Sequence, residues 1–214
     1  MIRRTVLVLV VASASLFAHA EDEAKAPPPA APTAGQNIAG SLCVGCHGAD
    51  GNSMIPTNPI LAGQVKEYIY KQLTNFKAGE GKPALRNNPI MGGMVAALSD
   101  DDMKSLAAWF SGQSMKPASA KDEALVAVGR KLWRGGDQGR GIPACAGCHG
   151  AAGAGLPALF PRVAGQYPDY TEAQLKQFRT GERANDPEKM MQMIAAKMND
   201  HDIKAVAEYM AGLR

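Results

Sequence analysis

Histidine and cysteine are scarce in this 214-residue chain, at four each, and aromatic residues make up only 6%. Past residue 20 no apolar run approaches the ~20 residues that a membrane-spanning helix needs. No long alternating apolar and polar stretch marks a strand, so a sheet protein is not expected. Charge of either sign is also in short supply. The formal net charge is +3, and setting aside Arg3 and Arg4 leaves +1. That balance lacks the basic footprint of a nucleic-acid partner.

The first 20 residues explain why those two arginines are set aside. A basic start, "MIRR", precedes the short apolar run "TVLVLVVASASLFA" and the small-x-small triplet "AHA". This is the pattern of a secretory signal peptide, with cleavage expected after Ala20. The 14 residues from 5 to 18 are too short for a membrane anchor. Export puts the remaining chain in an oxidising compartment, here read as the periplasm. Residues 21–34, "EDEAKAPPPAAPTA", are rich in Pro and Ala without apolar periodicity and read as a flexible leader.

Beyond the leader the chain repeats itself. Residues 61–80 match 163–182 at an offset of 102, with Gly63, Gln64, Tyr68, Gln72, Leu73 and Phe76 returning as Gly165, Gln166, Tyr170, Gln174, Leu175 and Phe178. Residues 91–112 match 191–212 at an offset of 100, so the preceding loop is two residues shorter in the second copy. Gly35 pairs with Gly129 at an offset of 94, which places eight extra residues around "RGGDQGRGIPA". Two homologous units result, 35–111 and 122–214, joined by a linker at 112–121.

Both units read as helical, with Gly- and Pro-rich loops after the cysteines. Val65, Tyr68, Ile69, Gln72, Leu73 and Phe76 share one helical face. Ser99 is a good N-cap, followed by Asp100, Asp101 and Asp102 and then the apolar stripe Met103, Leu106, Ala107 and Phe110. Asn199, Asp200, Ile203, Val206, Ala207 and Met210 repeat the plan. Few bulky side chains are left to build two cores of this size. Small domains of this kind need a metal or cofactor in the middle.

The cysteines say which. All four fall in two copies of one motif, "CVGCH" at 43–47 and "CAGCH" at 145–149. Cys-x-x-Cys-His is the attachment signature of c-type haem. Cys43 and Cys46, and likewise Cys145 and Cys148, add to the haem vinyl groups as thioethers. His47 and His149 then sit under the iron as proximal ligands. A disulfide framework or a redox pair would not require the histidines. A four-cysteine zinc site would join pairs about 100 residues apart and leave both histidines unexplained.

Methionine is a common sixth ligand where iron only carries electrons. Most of the 11 methionines are expected to be core or gap-fillers. In the 100-residue register Met91 faces Met191, whereas Met94 faces Ile194, Met190 faces Ile90 and Met193 faces Gly93. Met91 and Met191 are therefore the expected axial ligands, with Met94 and Met190 or Met193 the alternatives. His201, in the first turn of a helix, is expected at the surface. Pro59 and Pro161 each lie twelve residues after their histidine, and a ligating His donates its other ring N–H to a carbonyl or carboxylate. Tyr68, Tyr170, Gln64 and Gln166 are candidates to bond the haem propionates, with helix packing as the alternative. Trp133, which faces Ala39, is expected to pack near the second haem.

Taken together, "CVGCHGADGNS", "PILAGQ", "RGG…GIPACAGCHG", "PRVAGQ" and "MIAAKMNDHDI" resemble the dihaem cytochrome c4 family over residues 35–214. The resemblance implies an all-α fold of two cytochrome c-like domains related by a pseudo-two-fold axis. Each would wrap around one covalent haem c, and the propionates would face each other across the interface. It also implies Met91 and Met191 as ligands, and Pro59 and Pro161 offering their carbonyls to the proximal histidines. It implies an electron carrier, not an enzyme, with a quinol-oxidising complex as donor, a terminal oxidase as acceptor and loose membrane association in some members. The competing readings are a dihaem redox enzyme, peroxidase-like or thiosulfate-oxidising, and an electron-transfer subunit of a dehydrogenase complex.

Overall fold

The computed structural model describes residues 33–214. The signal peptide and most of the leader lie outside those residues. The leader is one part of the expectation that shifts. Thr33 is already the N-cap of the first helix, its side chain accepting from the Gln36 N–H, so residues 33 and 34 belong to the fold.

Helices account for the regular structure, and among the described residues pairing of extended segments is limited to isolated bridges. Helix α1 (Ala34–Ile38) runs through a π-helical stretch, Ala39–Cys43, into α2 (Val44–His47). It is followed by α3 (Lys66–Phe76), α4 (Pro89–Val95) and α5 (Asp100–Ser111). The second half has α6 (Glu123–Gly135), α7 (Ala146–His149) and α8 (Pro168–Thr180). A 3-10 turn at Pro187–Lys189 leads into α9 (Met190–Ala195), and α10 (Asp200–Gly212) closes the chain. None of these helices is long and apolar enough to cross a membrane.

The two halves differ where the extra residues were expected. In the first half the helix carries straight into the cysteine motif. In the second, α6 stops at Gly136, whose φ is 65°, and residues 137–142 form a bridged loop before α7. Arg140 in that loop pairs with Asp137 and reaches Asp202 at the start of α10.

Each half has its own core. The first gathers Ile69, Phe76, Val95, Leu98, Leu106 and Phe110. The second gathers Leu132, Trp133, Leu175, Met198, Ile203 and Val206. Both cores rest on a crossing of the first and last helices of the half, α1 on α5 and α6 on α10. Gly35 and Gly129 sit at those crossings, where a Cβ would collide with the Ser105 and Ala205 carbonyls respectively. Ser105 and Ala205 are partners in the 100-residue register, which bears out the pairing of Gly35 with Gly129. The helix starts also match, each with a complete capping box, Ser99 with Asp102 and Asn199 with Asp202.

The segment between α5 and α6 is tied to both halves. Asn52 accepts from the Lys116 N–H at 2.6 Å and donates to the Ser114 carbonyl at 3.0 Å. Further on, the buried Glu208 carboxylate accepts from the Lys121 and Asp122 backbone N–H groups.

Candidate functional site

In both halves a one-turn helix brings the second cysteine and the histidine together, and a positive-φ glycine ends it, Gly48 at 75° and Gly150 at 81°. All four cysteines are free. Burial pushes the Cys43 and Cys145 thiols up to about 11, so at neutral pH they stay protonated and are poor nucleophiles. Among the described residues no cluster of three or more His, Cys, Asp or Glu could hold a metal ion, which removes the four-cysteine zinc alternative.

His47 and His149 are buried, at 8% and 9% exposure. His47 Nδ1 lies 3.0 Å from the Pro59 carbonyl, and His149 Nδ1 lies 2.9 Å from that of Pro161. A carbonyl can only accept, so Nδ1 carries the proton in both rings. Burial lowers both imidazole pKa values, against a smaller opposing effect of these hydrogen bonds, and favours the neutral rings. Each ring therefore presents a bare Nε2 lone pair, the donor that haem iron takes from a proximal histidine.

The methionine helices follow the same register. Met91 and Met191 are half-buried, each packed on the core of its own half. Met94 and Met193 are exposed at 42% and 55%, and Met190 is half-buried but outside the core cluster. The local caps differ. Asn88 accepts from the Met91 N–H at 2.9 Å, whereas Asp186 accepts from the Gln192 N–H at 3.0 Å.

A carbonyl two residues after each histidine is held by an indole. Trp109 Nε1 donates to Ala49 O at 2.9 Å and Trp133 Nε1 donates to Ala151 O at 3.1 Å. Trp109 comes from α5 and Trp133 from α6, so the same bond is made from opposite ends of the half. Trp133 is fully buried with its ring centre 6.4 Å from that of His149, and Phe160 stands edge-on at 6.2 Å. The packing role expected of Trp133 holds. His201 is exposed.

The glutamines, expected beside the propionates, bond backbone groups of the opposite half. Gln64 reaches into the second half, accepting from the Arg162 N–H and donating to the Arg162 carbonyl, both at 2.8 Å. Gln166 does the same to Ile60 in the first half, both at 2.9 Å. Each Oε1 also accepts from the next backbone N–H, of Val65 or Tyr167, so both of its lone pairs are used. Their side chains serve backbone pairing because the two halves face each other there.

The tyrosines lead to residues that the repeat did not reveal. Tyr68 accepts from Arg183 Nη2 at 2.8 Å, and Tyr170 accepts from Arg86 Nη2 at 3.2 Å, each across the seam between halves. Arg86 and Arg183 are 8% and 5% exposed and stack over Phe76 and Phe178. Gln72, Gln174 and Asn185 supply their other side-chain partners. The two arginines are equivalent in space but stand 97 residues apart, a separation found in neither register. The loop is five residues shorter before the arginine and three longer after it, so the sequence match hides the pair. An Arg that follows the repeated Phe and Gly-Glu in both copies is the signal that could have found it.

These residues fit haem c. Two thiols precede a histidine with a free Nε2 in each half. Two buried guanidinium groups meet no carboxylate in an ion pair among the described residues, and Gln72 Nε2 is buried without a partner. Buried charge needs a counter-charge, and the carboxylates of propionates would provide it. Burial opposes ionisation of Tyr68, but Arg183 and Arg86 outweigh it and hold the hydroxyl below its usual pKa, as an anion-seeking site would.

The family model described as cytochrome c matches twice, at residues 32–114 and 127–214. Cytochrome c4 of Thiocapsa roseopersicina is 43% identical over 193 residues, covering 89% of this chain and 97% of that protein. A thiosulfate dehydrogenase electron acceptor of Stutzerimonas stutzeri (strain A1501) is 42% identical, covering 84% of this chain and 82% of its own. The crystal structure of reduced recombinant cytochrome c4 from Pseudomonas stutzeri superposes with a TM-score of 0.80 at 43% identity, over 86% of this chain and all of that one.

Proposed function

This chain belongs to the cytochrome c family, among the dihaem cytochromes c4, and on that premise we propose that it passes single electrons between respiratory partners in the periplasm, through two low-spin haems with His/Met ligation. It is an electron carrier and not an enzyme, and it carries two covalent haem c groups. When bound, each haem supplies a one-electron iron couple and nothing that transforms a substrate.

The chain's own residues do the rest. Cys43 and Cys46 hold one group and Cys145 and Cys148 the other. His47 and His149 offer Nε2 to iron while Nδ1–H stays with a proline carbonyl. Met91 and Met191 would supply a thioether sulfur as the second protein ligand to each iron. Arg86 and Arg183, bonded to Tyr170 and Tyr68, would give the propionates their counter-charge. The two haem domains are 33–111, starting two residues before the expected 35, and 122–214, with 112–121 as linker. The N-terminal sequence supports export, and the acceptor is a terminal oxidase supplied by a quinol-oxidising complex.

The observation that carries the reading is the duplication of the whole arrangement, with buried His, proline carbonyl and half-buried Met at matching positions in both halves. Met91→Ala and Met191→Ala test it. Each should turn one of two haems from low to high spin in the visible spectrum and open it to cyanide or carbon monoxide. A spectrum unchanged by either variant would overturn the assignment of that methionine.

The likeness to a protein named as a thiosulfate dehydrogenase electron acceptor supports a second donor. Reduction of the oxidised protein by a thiosulfate dehydrogenase with thiosulfate, faster than by a quinol-oxidising complex, would favour that donor. The reverse order would favour the respiratory route.

A further inference from the structure

Each glutamine of the Ala-Gly-Gln repeat grips a peptide group that belongs to the opposite half's histidine. The Ile60 N–H donates to Gln166 Oε1 at 2.9 Å, and the Pro59 carbonyl accepts from His47 Nδ1 at 3.0 Å. That N–H and that carbonyl are two ends of one planar peptide unit, Pro59–Ile60. The mirror arrangement joins Gln64 Oε1, the Pro161–Arg162 peptide and His149 Nδ1, at 2.8 and 2.9 Å. The second amide arm of each glutamine fixes the following carbonyl, so the peptide has little freedom to rotate. Both glutamines are themselves buried, at 9% for Gln64 and 7% for Gln166.

We propose that Gln166 is a positioning residue for the haem held by His47, and Gln64 for the haem held by His149, so that each half tunes the other's iron. A peptide whose N–H donates a hydrogen bond has a carbonyl oxygen that is a stronger acceptor. A stronger acceptor at Nδ1–H makes the imidazole a more basic ligand. A more basic ligand favours the ferric state, and so lowers the reduction potential. Loss of the glutamine therefore raises the potential of the haem in the other half.

This rests on His47 and His149 being the proximal ligands. The test is an NMR-monitored redox titration of the full holoprotein with the two haems assigned. Gln166→Leu should shift the potential of the His47 haem upward and move the His47 Nδ1–H resonance, with the His149 haem little changed. Gln64→Leu should give the mirror result. Tyr167→Phe, which removes the bond from Tyr167 to the Ser53 carbonyl at 2.7 Å, breaks another contact between halves and should leave both Nδ1–H resonances in place. If a leucine variant does not fold, Gln166→Glu keeps an oxygen for the Ile60 N–H. Its carboxylate should lower the potential, again more at the His47 haem. Larger shifts in a variant's own half, equal shifts in both, or none would overturn the crossed assignment. Failure of the ligation itself would show separately, as a wild-type protein without hyperfine-shifted His47 and His149 resonances.

Discussion

Gly35 and Gly129 let two helices touch backbone to backbone, and no other residue type meets that demand. At Gly129 a Cβ would run into the Ala205 carbonyl and the Tyr209 side chain. Gly129→Ala must push α6 off α10, and it should cost at least about 1–3 kcal/mol, the usual range for overpacking. Denaturant unfolding of the holoprotein checks this, and a stability equal to wild type would show that the crossing is looser than the structure has it. At this scale the sequence was readable wherever one register held. Cys43, His47, Met91 and Gly35 each return at a constant offset within their segment. Arg86 and Arg183 escaped because gaps of opposite sign on either side of the arginine put the pair outside both registers. The glutamines were visible as a repeat, but their role was not, since a side chain that bonds the other half looks the same in sequence as one that bonds a ligand.

Among the elements, the capped final helices were the most legible, because Ser99 and Asn199 each precede an acidic first turn and an apolar stripe. The extra segment of the second half was located but its anchoring was not. Arg140 lies 2.5 Å from the Asp202 carboxylate, which is only 6% exposed and is also the N3 residue of the α10 capping box. Burial raises the Asp202 pKa, but the Arg140 and Asn199 hydrogen bonds outweigh it and hold it below its usual value. With the folded pKa depressed, the stabilisation is complete above the unfolded value of about 4 and is lost as pH falls through the folded one. Acid should therefore loosen the 137–142 loop and fray the start of α10. Circular dichroism across that range should show a steeper acid loss for wild type than for Arg140→Gln. Parallel profiles would mean that the pair contributes nothing.

For the molecule as a whole, the repeat gave two units and left their relation open. The seam between them is polar and buried, built from the glutamine pairs, the crossed Arg–Tyr bonds and Asn185 bonded to Gln72 and Asn75. Each such bond contributes about 0.5–1.5 kcal/mol net, and unfolding one half alone forfeits all of them at once. The halves should therefore unfold together, with haem absorbance and far-ultraviolet dichroism falling in one coincident transition. Two separated transitions would show that each half stands alone. The seam was illegible in sequence because its residues come from both copies and are never neighbours in the chain.

The relocated tryptophan bears on how such a chain avoids folding against itself. Tandem copies are prone to trading equivalent segments. If α1 docked on α10, Ala39 would face Tyr209 and the Ala151 carbonyl would have no indole. If α6 docked on α5, Trp133 and Trp109 would compete for the single carbonyl of Ala49. One mispairing lacks a side chain and the other has one too many, so each N-terminal helix carries an address that only its own C-terminal helix can read.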